Sequence, residues 1–154
     1  MIRPSCFAIV VLALVASPGR TADRDAPVDA TKKEMAKLQG AWSLVSMESE
    51  GHSRDPEEIQ GWGSVYEGDR LTLKANGEVR RRGIVTIDTT RKPKAINTWD
   101  LDGPFEDQTV PGIYELDGDT LKLCFARPGT KRPTEFTTKS GTGFVFVVYK
   151  RLKP

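Results

Sequence analysis

The stretch RLTLKANGEVRRRGIVTI, residues 70–87, decides the fold. Its first six residues alternate, so Leu71, Leu73 and Ala75 share one face while Arg70, Thr72 and Lys74 share the other. A period of two belongs to a half-buried strand and not to a helix. Asn76-Gly77 then supplies two residues that tolerate positive φ, as a type I′ hairpin turn requires. The return strand is expected over residues 79–87. An antiparallel hairpin at the centre of the chain is the unit from which the remainder is read.

Working outward, further strands are expected in the segment AWSLVSM from Ala41 and at residues 94–101, 108–116, 121–126, 134–138 and 144–151. Asp117-Gly118-Asp119 marks a second tight hairpin, and Gly- and Pro-containing turns separate the later strands. That gives about eight strands and no helix long enough for a parallel crossover. The expected fold is all-β: an antiparallel up-and-down barrel of about eight strands with a short N-terminal helix, since closure removes exposed sheet edges. Thr31 and Glu34 have the spacing of a capping box for that helix, which Gly40 would end. A second helical turn is expected at Pro56–Ile59.

Residues 1–22 carry Arg3, the uncharged run FAIVVLALVA (7–16) and small residues before Ala22, the pattern of a cleavable signal peptide. Residues 23–30 are polar and read as a flexible leader, and 31–154 as one barrel domain. Export to the periplasm or the extracellular space follows, with membrane attachment only through an uncleaved signal segment. The full chain holds 23 Lys and Arg against 21 Asp and Glu, and residues 1–22 contain Arg3, Arg20 and no acid, so 21 of each sign remain. Without a net positive field nucleic-acid binding has no electrostatic basis. Cleavage also removes Cys6 and leaves Cys124, which cannot form an internal disulfide alone.

Leu38-Gln39-Gly40-Ala41-Trp42 has a Gly-x-Trp pattern directly after the helix, and it resembles the opening of the first strand in lipocalins. The resemblance implies that Gly40 and Trp42 are structural, with Trp42 closing the barrel floor. It also implies that a basic residue ending the last strand, here Arg151, packs over the indole ring as a cation–π contact. KLQGAW (37–42), KPKAI (92–96), GIYELDGDTLKLCF (112–125) and RPTEF (132–136) are similar to a lipocalin-like domain family abundant in exported planctomycete proteins. That likeness implies a barrel and an exported setting and supplies no active-site residues. Gly83-Ile84-Val85 stands where that family usually has an aromatic.

Arg81 is the most informative candidate. It shares parity with Val79, Val85 and Ile87, so it points inward unless a bulge at Gly83 returns it to solvent. Inside a barrel it needs a carboxylate, water or an anionic ligand. Asp100, Asp102, Glu106 and Asp107 surround Gly103-Pro104 and read as a solvated turn. His52 falls in a polar loop segment; it and Cys124 lie too far apart for metal-ligand spacing. Cys124 is out of phase with Leu121, Leu123 and Phe125, hence outward-facing, either a filler under a covering helix or a thiol activated by Lys122. The last strand, FVFVVY (144–149), is apolar on both faces, so it is expected under the N-terminal helix or at a dimer contact.

No convergent nucleophile, base or metal set is present, so no enzyme, cofactor or metal is expected. The leading expectation is binding of a small apolar or amphiphilic ligand, lined by Trp42, Arg81, Tyr114, Phe125 and Phe144. The alternative is a non-enzymatic structural or protein-interaction module whose barrel its own side chains fill. The sequence fixes no oligomeric state.

Overall fold

A computed structural model describes residues 26–153; the expected signal peptide, and Cys6 within it, lie outside the described residues. The chain forms helix α1 (Ala26–Leu38), strand β1 (Gly40–Ser49), a two-residue strand β2 (His52–Ser53) and the helical turn α2 (Pro56–Ile59). Then come β3 (Trp62–Glu67), β4 (Arg70–Ala75), β5 (Glu78–Asp88), β6 (Lys94–Asp100), β7 (Thr109–Asp117), β8 (Thr120–Phe125) and β9 (Val145–Arg151). Neighbouring strands pair antiparallel in chain order from β3 to β9, β1 pairs β3, and β1 also pairs β9. Eight strands therefore close into a barrel, and β2 only extends the end of β1.

The central hairpin is as expected: Leu71 and Ala75 are buried, and Asn76 and Gly77 have φ of 53° and 81°. The strand count matches with one exchange of members. Trp62–Glu67 is a strand, whereas residues 134–138 are not. The former hides behind Gly61, Gly63 and Gly68, which look like turn residues. Yet a Cβ on Gly63 would lie 2.5 Å from the Trp42 carbonyl oxygen, so the glycine serves close strand approach and not a turn. Residues 134–138 run across the outside of β8 and β9, where the Phe136 ring sits 5.8 Å from that of Phe146. That segment, not α1, covers the outer face of the last strand. Pairing with both β8 and β1 leaves β9 no free edge for a dimer.

The described helix spans Ala26–Leu38, so residues 26–30 of the expected leader are helical and Thr31 lies within the helix. Glu34 pairs with Lys94 of β6 and with Lys37 at 3.3 Å. The helix closes one end of the barrel. Leu38 and Trp42 are fully buried there, packed with Val85, Ile96, Tyr114 and Leu121. The Trp42 indole N–H donates to the Leu38 carbonyl at 2.9 Å, and the Arg151 guanidinium lies 4.1 Å from the Trp42 ring centroid. Arg151 also donates to the carbonyls of Lys37 (2.6 Å) and Gln39 (2.7 Å), acceptors that a helix end leaves without intrahelical partners. Arg151 therefore packs over Trp42 at the floor, and Gly40 turns the chain there with φ of 104°.

Arg151→Met removes the cation–π contact and both carbonyl bonds together. We expect a loss of about 2–4 kcal/mol in urea unfolding. Arg151→Lys should recover only part of it, because an ammonium lacks the planar fork that stacks and donates at once.

Candidate ligand-binding cavity

The inner faces of the strands fill the floor end and leave the other end hollow. Two bulges set which side chains point in. Between β1 and β9 the register shifts across Leu44 and Ser46, so Val45 turns out to solvent while Leu44 and Met47 both face the interior. Between β4 and β5, Leu73 pairs with Arg81 and Lys74 with Val79, which leaves Arg80 as the extra residue. The bulge thus lies at Arg80 and not at Gly83. It reverses the parity of Val79, which is 49% exposed against expectation, and keeps Arg81 inward with its side chain 17% exposed.

The hollow has a volume of about 430 Å³. Its wall is mostly apolar, with Leu44, Met47, Leu71, Leu73, Val110, Leu123, Val145 and Val147. Phe125 contributes a ring from β8. Trp62, Phe105 and Phe144 stand with Glu50, Arg54 and Arg127 among the lining residues that come from strand ends and loops. Glu50 fixes the segment before Phe144 by accepting the backbone N–H groups of Gly141 (2.6 Å) and Gly143 (3.1 Å). Of the five expected ligand-binding residues, Arg81, Phe125 and Phe144 line this cavity. Trp42 and Tyr114 do not; both are buried in the packed floor cluster.

A polar group is embedded in the apolar wall. Arg81 Nη1 approaches Asp100 Oδ2 at 3.3 Å, and Asp100 is 0% exposed. Space for that carboxylate comes from Gly83, opposite Asp100 in the ladder: a Cβ there would lie 2.5 Å from Thr98 Cγ2 and 3.4 Å from Asp100 Oδ1. Asp100 is therefore not part of a solvated turn, although Asp102, paired with Arg82 at 2.8 Å, belongs to one. Burial raises the Asp100 carboxyl to about 6, outweighing the nearby Arg81 charge, and Asp102 adds to the rise. Arg81 Nε and both Asp100 oxygens are buried without a hydrogen-bond partner. Tyr66 and Tyr149 also reach the cavity. Burial pushes the Tyr149 hydroxyl up to about 12 and raises Tyr66 as well, so both remain neutral donors.

Of the carboxylate, water or anionic ligand that an inward Arg81 needs, the structure supplies the carboxylate of Asp100, nineteen residues away. The signal was present: Thr98 and Asp100 alternate with Trp99, so Asp100 shares the inward phase of Ile96. Tyr66 was missed along with its strand.

Elsewhere the chemistry is quiet. A second recess beside α1 holds Glu34, Lys37, Lys94 and Arg151. Burial opposes the Glu34 charge, yet bonds from Lys94 and Lys37 keep its carboxyl below the ordinary range. His52 is exposed, its Nδ1 2.8 Å from the Glu50 carbonyl. Cys124 is buried beneath the 127–144 segment, its Sγ 3.7 Å from the Thr137 carbonyl. Desolvation raises its thiol to about 11. Among the described residues no group of three or more His, Cys, Asp and Glu is placed to hold a metal ion. No described helix is long and apolar enough to cross a membrane. No protein-family model matches the chain, and a search of curated proteins finds no match.

Two outcomes are expected. Cys124 should resist iodoacetamide at about pH 8 in the folded protein and react on denaturation, because the thiolate is the reactive form; labelling can be followed by mass. Asp100 binds its proton more tightly folded than at its ordinary value of 3.8. Its stabilising contribution is thus present below about 3.8 and lost as pH rises through about 6. Relative to Asp100→Asn, the wild type should lose about 2–3 kcal/mol of unfolding free energy between about pH 4 and pH 7.

Proposed function

We propose that the barrel is a lipocalin-like binding protein for a small amphiphile, with an apolar chain in the hollow and an acidic head at Arg81. The observation that carries this reading is the cavity itself. Its volume of about 430 Å³ lies within the range of small-ligand sites, about 300–1,000 Å³. The wall offers dispersion contacts and the release of ordered water, which favour an aliphatic chain. Arg81 is the one cation placed among the buried wall residues, and its Nε has a free N–H. A guanidinium in low dielectric binds a carboxylate or phosphate more strongly than it would in water.

A non-enzymatic module with a filled barrel is the weaker reading, because the hollow end is not filled by the chain's own side chains. The eight-stranded barrel, with Trp42 under Arg151, is consistent with the lipocalin-like resemblance. Export belongs to the same proposal and rests on the sequence of residues 1–22. In an exported setting a carrier or sensor of poorly soluble acids is a role that needs only binding and no catalytic group.

Displacement of a fluorescent fatty-acid probe tests the reading. Wild type should bind a long-chain carboxylate, and Arg81→Ala should weaken that affinity about 10- to 100-fold. Binding of a neutral alcohol of the same chain length should change little. Unchanged carboxylate affinity in the variant would remove Arg81 from the site; no displacement by either ligand would remove the carrier function.

A further inference from the structure

We propose that the cavity takes up an amphiphilic anion together with one proton, which goes to Asp100. This deepens, and rests on, the reading of the cavity as an amphiphile site. The empty site is already balanced, because Arg81 meets Asp100 at 3.3 Å and Asp100 is wholly buried behind it. An anionic head at Arg81 therefore sets two negative charges against one buried cation. Two carboxylates that share a low-dielectric site do not both stay ionised; one holds a proton. A ligand with a fixed charge cannot be that one, so Asp100 must be.

Among the described residues of the inner wall no second cation balances the charge, since the other lining guanidiniums, Arg54 and Arg127, are exposed. From β3 and β9 the pair is faced by Tyr66 and Tyr149, both held neutral by burial. β4 presents Leu73 opposite Arg81, and β7 presents Val110 opposite Thr98. Asp102, beyond the end of β6, is taken by Arg82, and its charge works against ionisation of Asp100. Of the charged groups among the other lining residues, Glu50 accepts the Gly141 and Gly143 amides. Arg54 is 3.8 Å from Glu58 on the exposed surface, and Arg127 lies against Gly143. With its carboxyl already raised to about 6 by burial, Asp100 is poised to take up a proton near neutral pH. Once protonated it can donate a hydrogen bond to the incoming head, and Arg81 is released to pair with that head.

The consequence is a carrier that holds acids more tightly in mildly acidic surroundings and lets them go as pH rises. The ligand class is a singly charged long-chain amphiphilic anion. Dodecanesulfonate is the decisive probe because its own charge does not change over the range, and dodecanol is its neutral counterpart. Calorimetric titrations of the purified protein from about pH 5.5 to 8.5 should show the sulfonate dissociation constant rising about tenfold per pH unit above roughly pH 6.5. Repeating the titration at about pH 7.5 in buffers of different ionisation enthalpy should count close to one proton taken up per sulfonate bound. Dodecanol should bind with no pH slope and no proton uptake. Asp100→Asn should bind the sulfonate with a flat pH profile; should that variant fail to fold, the wild-type slope and proton count decide. Sulfonate binding with a flat profile or without proton uptake overturns the proton linkage and leaves the carrier reading standing. Absence of binding by both probes overturns the two together.

Discussion

The Arg151 guanidinium over the Trp42 ring is the contact on which the rest of the barrel depends. It joins the last strand to the first at the point where the sheet closes, since Trp42 and Arg151 are ladder partners. The same guanidinium donates to the Lys37 and Gln39 carbonyls on either side of the end of α1, while the indole N–H takes the Leu38 carbonyl between them. Three helix-end acceptors, one aromatic face and one strand seam are thereby satisfied by two side chains. Without the indole the buried Leu38 carbonyl would stand unpaired among apolar side chains, a penalty of about 1–3 kcal/mol. Because the floor is sealed in this way, the other end of the barrel can stay open without the sheet losing its closure.

The open end depends on a second constraint, the phase of the strands. Side chains alternate between interior and solvent with a strict period of two, so a single extra residue exchanges the two sets. The bulges at Val45 and Arg80 each reset that phase once. On β1 the shift lets Leu44 and Met47 share the interior, and on β5 it separates an exposed Val79 from an inward Arg81. Gly83, one step further, gives the carboxylate of Asp100 room that any side chain would occupy. The apolar cavity and its single ion pair therefore come from backbone irregularity as much as from residue choice.

The parts of this architecture that were readable from the chain are those written locally. Alternation in Arg70–Ala75, the Asn76-Gly77 turn and Gly40-Ala41-Trp42 each state their structure within a few residues. What could not be read so directly was the purpose of a glycine. Gly63 and Gly83 resemble breaks in a strand, but each marks a place where neighbouring strands or side chains come too close for a Cβ. One such glycine concealed strand β3, and with it Tyr66. Asp100 was obscured for a different reason: its neighbours Asp102, Glu106 and Asp107 form a polar turn, and only its phase separates it from them. The segment at residues 134–138 has strand-like composition because it packs on a sheet, without joining its ladder.

The three arginines at positions 80–82 give the interior charge an unusual tolerance of length variation. Arg80 bulges, Arg81 enters and Arg82 faces solvent to pair with Asp102. Loss of any one of the three codons leaves the same two-arginine sequence, in which Val79 directly precedes the inward residue and the ladder to β4 becomes regular. A duplicated codon leaves the residue two positions before Gly83 an arginine as before. The identity of the buried cation is therefore buffered against slippage of the gene at that point, while Asp100, on a strand with no such repetition, has no equivalent protection. In a copy of this barrel without the acid, the arginine would accept an anion with no proton taken up.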